Sequence, residues 1–163
     1  MDQAQYRRVL GHFPTGVTVV TANGPDGPVG LSISSFTAVS LSPPLVGFLP
    51  AHTSWSWPMI RAAGWFCVNI LAAGQEKIAR LFATPGVDRF QDLNWQPAPY
   101  SGAPRLEGVV AWIDCEIEAV TVAGDHDFVL GRVHALHAES DEPPLLFHRS
   151  RYARGPQWPR DPA

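Results

Sequence analysis

The sequence predicts a mainly β fold: an antiparallel barrel with helices on its outside. Three observations carry this. Short β-branched runs follow one another between residues 16 and 49 and do not alternate regularly with helices, as a doubly wound parallel sheet would require. Two long strand-like runs, 109–123 and 127–139, flank a glycine-containing turn. Helical spacing is confined to short stretches near 4–13, 53–63 and 74–83.

In chain order, residues 4–13 place Tyr6, Val9, Leu10 and Phe13 at helical spacing, and Pro14 ends that helix. GVTVVTA (16–22) reads as a strand and NGPDGP as a turn. VGLSISSFTAVSLS (29–42) is strand-like, with small polar residues breaking it around 34–37. Pro43 and Pro44 stop it, and LVGFL (45–49) makes another short strand. Residues 53–63 read as a short helix capped by Thr53 or Ser54. WFCVNILA (65–72) reads as a buried strand. GQEKIARLFA (74–83) is helical, with Ile78, Leu81 and Phe82 on one face and Glu76 four residues before Arg80. Residues 84–108 hold four prolines and several glycines and read as one long ordered loop or a pair of loops. In VVAWIDCEIEAVTVA, Ala111, Ile113, Cys115, Ile117 and Ala119 point one way and Asp114, Glu116 and Glu118 the other. DFVLGRVHALHAE is its hairpin partner across Ala123-Gly124-Asp125-His126.

No internal repeat or domain boundary interrupts the 163 residues, so the chain reads as one domain, with a core over about 6–152 and a Pro-rich tail at 153–163. Apolar residues make up 45% and charged residues 17%, enough to build a core without staples. The net charge of -3, without a Lys/Arg block, argues against a nucleic-acid partner. The start lacks the apolar stretch of a signal peptide, and no run is long enough to span a membrane, so a cytoplasmic setting is expected. Cys67 and Cys115 lie in apolar runs and read as buried thiols rather than a disulfide.

The familiar phosphate, nucleophile-elbow and paired-cysteine signatures are missing. His134 and His137 fall on opposite faces of a strand, which defeats shared metal ligation. Residues 31–42 carry five serines and one threonine on an otherwise apolar run. Each buried hydroxyl needs a partner, so this is either a wet edge strand or the lining of a polar, phosphorylated ring ligand. AHTSWSWPMI (51–60) again sets Ser and Thr before a helix, as a simple N-cap or an anion site. Asp125-His126-Asp127 at the mouth of a strand leaves four readings open: a metal site, an acid/base pair, a hydride-transfer site or a solvated turn.

FPTGVTVVTA, GLSISSFTAVSLSPPLVGF, HTSWSWPMI, FCVNILA, DRF, GDHDFVLGRV and LLFHRSRY come in this order. Together they resemble the flavin reductase domain family, the reductase components of two-component flavin monooxygenases. The resemblance implies an FMN-binding split β-barrel, seen as a homodimer. It implies an NAD(P)H:flavin oxidoreductase that reduces FMN or FAD and supplies reduced flavin to a flavin-dependent oxygenase partner. NADH is favoured over NADPH because no basic cluster awaits a 2′-phosphate. A split-barrel module that binds flavin or haem without turnover is the alternative, and a pyridoxine-phosphate-oxidising relative a weaker third.

The resemblance also implies a site. Thr15 would lie near the flavin ring. Leu31, Ser32, Ile33, Ser34, Ser35, Thr37 and Ala38 would meet the isoalloxazine edge and ribityl chain. Ala51, His52, Thr53, Ser54, Trp55, Ser56, Trp57 and Pro58 would lie at the flavin phosphate. That segment holds no Lys or Arg, so serines, backbone N–H groups and Arg89 are the expected donors. Asn69 would fall in a strand near the flavin, and Arg89 and Phe90 near its outer part or the cofactor. Arg149, Ser150, Arg151 and Tyr152 would meet the nicotinamide nucleotide. Hydride transfer needs no protein acid or base at the reacting carbon. His126 would therefore position the nicotinamide, with Asp125 and Asp127 holding the turn and orienting the ring.

Overall fold

The structure, a computed structural model, describes residues 1–156; most of the expected Pro-rich tail lies outside the described residues. Helix α1 (Gln3–Leu10) starts at Asp2, whose carboxylate accepts from the Ala4 N–H at 3.0 Å. It ends at Gly11, short of Pro14. The strands β1 (Thr15–Gly16), β2 (Thr18–Gly24), β3 (Gly27–Ile33), β4 (Thr37–Leu41) and β5 (Pro44–Phe48) follow. Helix α2 (Trp57–Ala63) leads into β6 (Trp65–Ile70), and a single 3₁₀ turn into α3 (Glu76–Ala83). The proline-rich loop contains a small hairpin, β7 (Trp95–Pro97) with β8 (Pro104–Leu106). The long arms β9 (Ala111–Ala123) and β10 (His126–Ala138) come next, then β11 (Leu145–His148) and β12 (Arg151–Arg154).

Seven strands form one antiparallel sheet in the order β3-β2-β6-β9-β10-β5-β4, with β3 and β4 at its ends. β1, β11 and β12 form a second, three-stranded sheet. No described helix is long and apolar enough to cross a membrane.

β2 is buried on both faces, which explains its unbroken Val/Thr run. Val20 and Ala22 face a core with Phe48, Trp57, Phe66 and Val129, while Val17 and Val19 face a second core with Leu71, Phe82 and Leu145. Full burial of such a side chain contributes about 1.5–3 kcal/mol. Cys67 and Cys115 are buried, free thiols, as expected. The expected Glu76–Arg80 pair forms at 2.7 Å.

α1 buries none of its residues: Tyr6 is 53% and Phe13, just beyond it, 75% exposed. Asp114, on the strand face opposite Ala111, Ile113 and Cys115, is fully buried. The β7–β8 excursion covers that face, and Asp114 Oδ2 accepts from the Tyr100 and Ser101 N–H groups at 2.8 and 3.2 Å.

Candidate functional site

Segments far apart in sequence converge on one cleft of about 1270 Å³. The first wall is the end of β3. Period-two alternation buries Leu31 and Ile33 and turns Ser32 and Ser34 outward. All four line the cleft, with Ser35. Ser35 is already engaged: its hydroxyl donates to Leu49 O at 3.2 Å and accepts from Leu49 N at 2.9 Å. That clasp joins the β3–β4 link to the end of β5.

The second wall is the link from β5 to α2, from which Ala51, Thr53, Ser54, Trp55 and Ser56 reach the cleft. α2 begins at Trp57, later than expected, and its cap is Ser56 rather than Thr53 or Ser54. The Ser54 hydroxyl still accepts from the Trp57 N–H at 3.3 Å. Ser56 makes no cap bond; its hydroxyl meets Arg89 instead.

Arg89 lines the cleft but spends most of its donors on the chain itself. Nη1 donates to Gly30 O at 2.7 Å and Ser56 Oγ at 2.6 Å; Nε and Nη2 donate to Thr84 O at 3.3 and 2.8 Å. Burial pushes its pKa down. Phe90 packs edge-on against Phe82 at 5.2 Å in the second core and does not line the cleft.

The third wall is the β9–β10 turn. Ala123 pairs with His126, leaving Gly124, at φ 70°, and Asp125 as the two turn residues. His126 and Asp125 both line the cleft, with His126 Nδ1 2.7 Å from Asp125 Oδ1. That contact holds the Asp125 carboxyl below its ordinary range. Asp127 departs from its expected part. Alternation turns it away from His126, and it contacts Trp57 Nε1 at 2.8 Å and His52 Nε2 at 3.0 Å.

The remaining expected residues lie off the cleft. Asn69 is fully buried: it donates to Val19 O, Thr21 Oγ1 and Pro104 O, and accepts from Leu106 N. No group of it is left for a ligand. Trp57 is buried against Phe48. Thr37 and Ala38 are exposed on β4, and Pro58 on α2. Thr15 pairs with Phe147, its hydroxyl buried without a partner among the described residues. Arg149 and Ser150, both at positive φ, form the β11–β12 turn, and Arg149 N donates to Gly11 O at 2.9 Å. Arg151 is exposed, and Tyr152 packs on Phe147 under the Arg80 guanidinium.

Sequence reasoning missed α1: Tyr6, Arg7 and Leu10 line the cleft, as does Phe82. The signal was the helical spacing of Tyr6 and Leu10 with Arg7 between them, which marks a helix but not the cleft it borders.

The lining mixes hydroxyls (Ser32, Ser34, Thr53), apolar surface (Leu31, Tyr6, Phe82, Trp55) and two guanidinium groups, Arg7 and Arg89. Such a set fits an elongated ligand with a flat apolar ring, polar edges and an anionic end. The chain belongs to the flavin reductase-like domain family, whose model matches residues 10–156.

It is 48% identical to a flavin reductase of Pseudomonas putida, over 93% of this chain and 89% of that protein. It is 44% identical to the reductase subunit HsaB of a flavin-dependent monooxygenase from Rhodococcus jostii, over 93% of this chain and 77% of that one. The structure of the NADH:FAD oxidoreductase SgcE6 of Streptomyces globisporus, in complex with NAD and FAD fragments, matches with a TM-score of 0.89 at 42% identity, over 94% of this chain and 92% of that one.

Proposed function

We infer that this protein reduces FMN or FAD with a nicotinamide cofactor, NADH by preference, and supplies reduced flavin to a separate flavin-dependent monooxygenase. The observation that carries this reading is the convergence of hydroxyls, apolar surface, Arg7, Arg89 and His126 on one cleft. A flavin bound in the cleft would supply the hydride acceptor, so the chain's task is alignment rather than proton transfer.

The proposed roles follow from position. Ser32, Ser34 and Thr53 hydrogen-bond the polar edges and ribityl chain. Arg7 and the remaining Arg89 donor meet phosphate. His126, oriented by Asp125, hydrogen-bonds the nicotinamide carboxamide. Thr15, Arg149, Ser150, Arg151 and Tyr152 lie off the cleft of one protomer.

The proposal includes a split β-barrel and a homodimer. The exposed apolar residues Tyr6, Val9, Leu10 and Phe13 support the homodimer, since a second copy would cover them. Two buried free thiols fit a reducing, cytoplasmic compartment. The test is NADH and NADPH oxidation in air with FMN and with FAD. Steady turnover is expected, fastest with NADH. Retention of a yellow chromophore without nicotinamide oxidation would leave a binding module instead. Sedimentation at micromolar concentration should give twice 17.8 kDa.

A further inference from the structure

The reaction proposed above uses Asp125 and His126, but the most heavily bonded charge of that hairpin tip is their neighbour Asp127. It is only 4% exposed and lies outside the cleft. Oδ2 accepts from the Trp57 indole N–H at 2.8 Å and has Arg61 Nη1 at 3.7 Å. Oδ1 contacts His52 Nε2 at 3.0 Å. All three partners come from residues 52–61, the stretch that also carries Thr53, Ser54 and Trp55 into the cleft.

A carboxylate two residues from a surface turn would ordinarily stay in water, where it needs no partner. Here it is buried, and burial is tolerable only because these donors surround it. They attach the β9–β10 tip to the start of α2. The backbone repeats the connection. Ala51 bridges His126, the His52 N–H donates to Asp125 O at 3.0 Å, and the Asp127 N–H donates to Pro50 O at 3.1 Å. The seam therefore holds two walls of the cleft at a fixed separation, one bearing His126 and the other Thr53 and Ser54.

We propose that Asp127 is a positioning residue that sets the distance between the His126 wall and the 51–56 wall. Its catalytic consequence rests on the flavin reductase reading; the seam itself does not. Near-attack geometry is lost with small displacements, so loosening the seam acts on hydride transfer more than on flavin affinity. Asp127→Ala strips all three partners and leaves the Trp57 indole N–H buried without an acceptor. Asp127→Asn keeps the side chain's shape and an acceptor for the Trp57 indole N–H, so it rescues in part. Trp57→Phe removes one bond and keeps most of the ring.

The experiment has two readouts. In the ligand-free protein, amide hydrogen exchange at His52 and Asp127 should speed up by about ten-fold or more in Asp127→Ala, with the β6–β9 amides unchanged and Asp127→Asn in between. In rapid mixing, hydride transfer per flavin-loaded molecule should fall roughly ten-fold in Asp127→Ala, while flavin affinity stays within about two-fold. Unchanged exchange at His52 and Asp127 overturns the proposal. Faster exchange with a wild-type hydride-transfer rate overturns it as well, because Asp127 is then only structural. A wild-type protein that transfers no hydride sinks the activity reading instead, and the exchange result still decides the seam. If Asp127→Ala fails to fold, Asp127→Asn and Trp57→Phe carry both readouts.

Discussion

The Ser35 hydroxyl is held from both sides by one residue, donating to Leu49 O at 3.2 Å and accepting from Leu49 N at 2.9 Å. It ties the β3–β4 link to the end of β5, so its first task is to shape the cleft rather than to touch what enters it. Ser35→Ala removes two hydrogen bonds worth roughly 1 kcal/mol each. The ligand-free protein should lose about 1–2 kcal/mol and melt several degrees lower. Thermal unfolding without flavin checks this. An unchanged melting point with weakened flavin binding would return Ser35 to direct ligand contact.

Asp127 gives a pH dependence with a definite sign. The Trp57 hydrogen bond first, and the His52 contact next, hold its carboxyl below the ordinary range. The unfolded chain then binds its proton more readily than the native one, and stability rises with pH across that interval. The contribution is complete above the unfolded value near pH 4, falls away as the pH drops through the folded value, and is absent below it. Asp127→Asn should flatten the stability–pH curve below about pH 4. Urea unfolding across that range reads this directly.

Gly131 lies at a register shift in β10, and a Cβ there would overlap the Phe66 ring. Gly131→Ala should destabilise by about 1–3 kcal/mol through overpacking. Pairing it with Phe66→Leu should recover part of the loss in a double-mutant cycle. Strict additivity would show that the two sites do not meet.

Burial, reinforced for Cys67 by the nearby Asp114 carboxylate, pushes both thiols up and out of reach of ordinary thiolate chemistry. A colourimetric disulfide reagent at pH 8 should therefore leave the native protein unlabelled and react with two thiols per chain in denaturant. Fast native labelling of either one would place it at the surface.

His126→Ala should leave flavin affinity nearly intact and slow hydride transfer by roughly ten- to a hundred-fold, the cost of one oriented hydrogen bond. Rapid mixing of flavin-loaded protein with NADH separates the two. Wild-type rate and wild-type NADH affinity together would reduce His126 to a turn residue.

Much of the fold was legible because it is written in local periodicity. The β9–β10 hairpin announces itself by alternation and by Gly124, and β6 by its apolar run. Where the reading failed, the deciding contact was remote in sequence. Asp114 looks outward until Tyr100 and Ser101 of the β7–β8 excursion, 14 and 13 residues upstream, close over it. Asn69 looks like a ligand donor until Pro104 and Leu106 arrive to take its amide. For the cleft, the sequence located the polar runs at 31–35 and 51–56 but not how their hydroxyls are shared out. Nothing local distinguishes Ser32 from Ser35, or reveals that Arg89 holds Ser56. α1 is the converse case: its spacing is truly helical, but spacing alone does not say what the apolar stripe will meet.

The cleft walls come from residues near 7, 33, 54, 89 and 126, so the contacts of anything bound there would span most of the chain. Global unfolding must then release whatever is bound there. By mass action, a ligand at one hundred times its dissociation constant adds about 2.7 kcal/mol to stability, and more as its concentration rises. If the cleft takes the cofactor proposed, the melting temperature becomes a titration axis that reads flavin saturation without any turnover. Protein made by cells starved of flavin would start from the lower end of that axis and meet proteases and unfolding more often, so the supply of cofactor would set the enzyme's abundance as well as its rate.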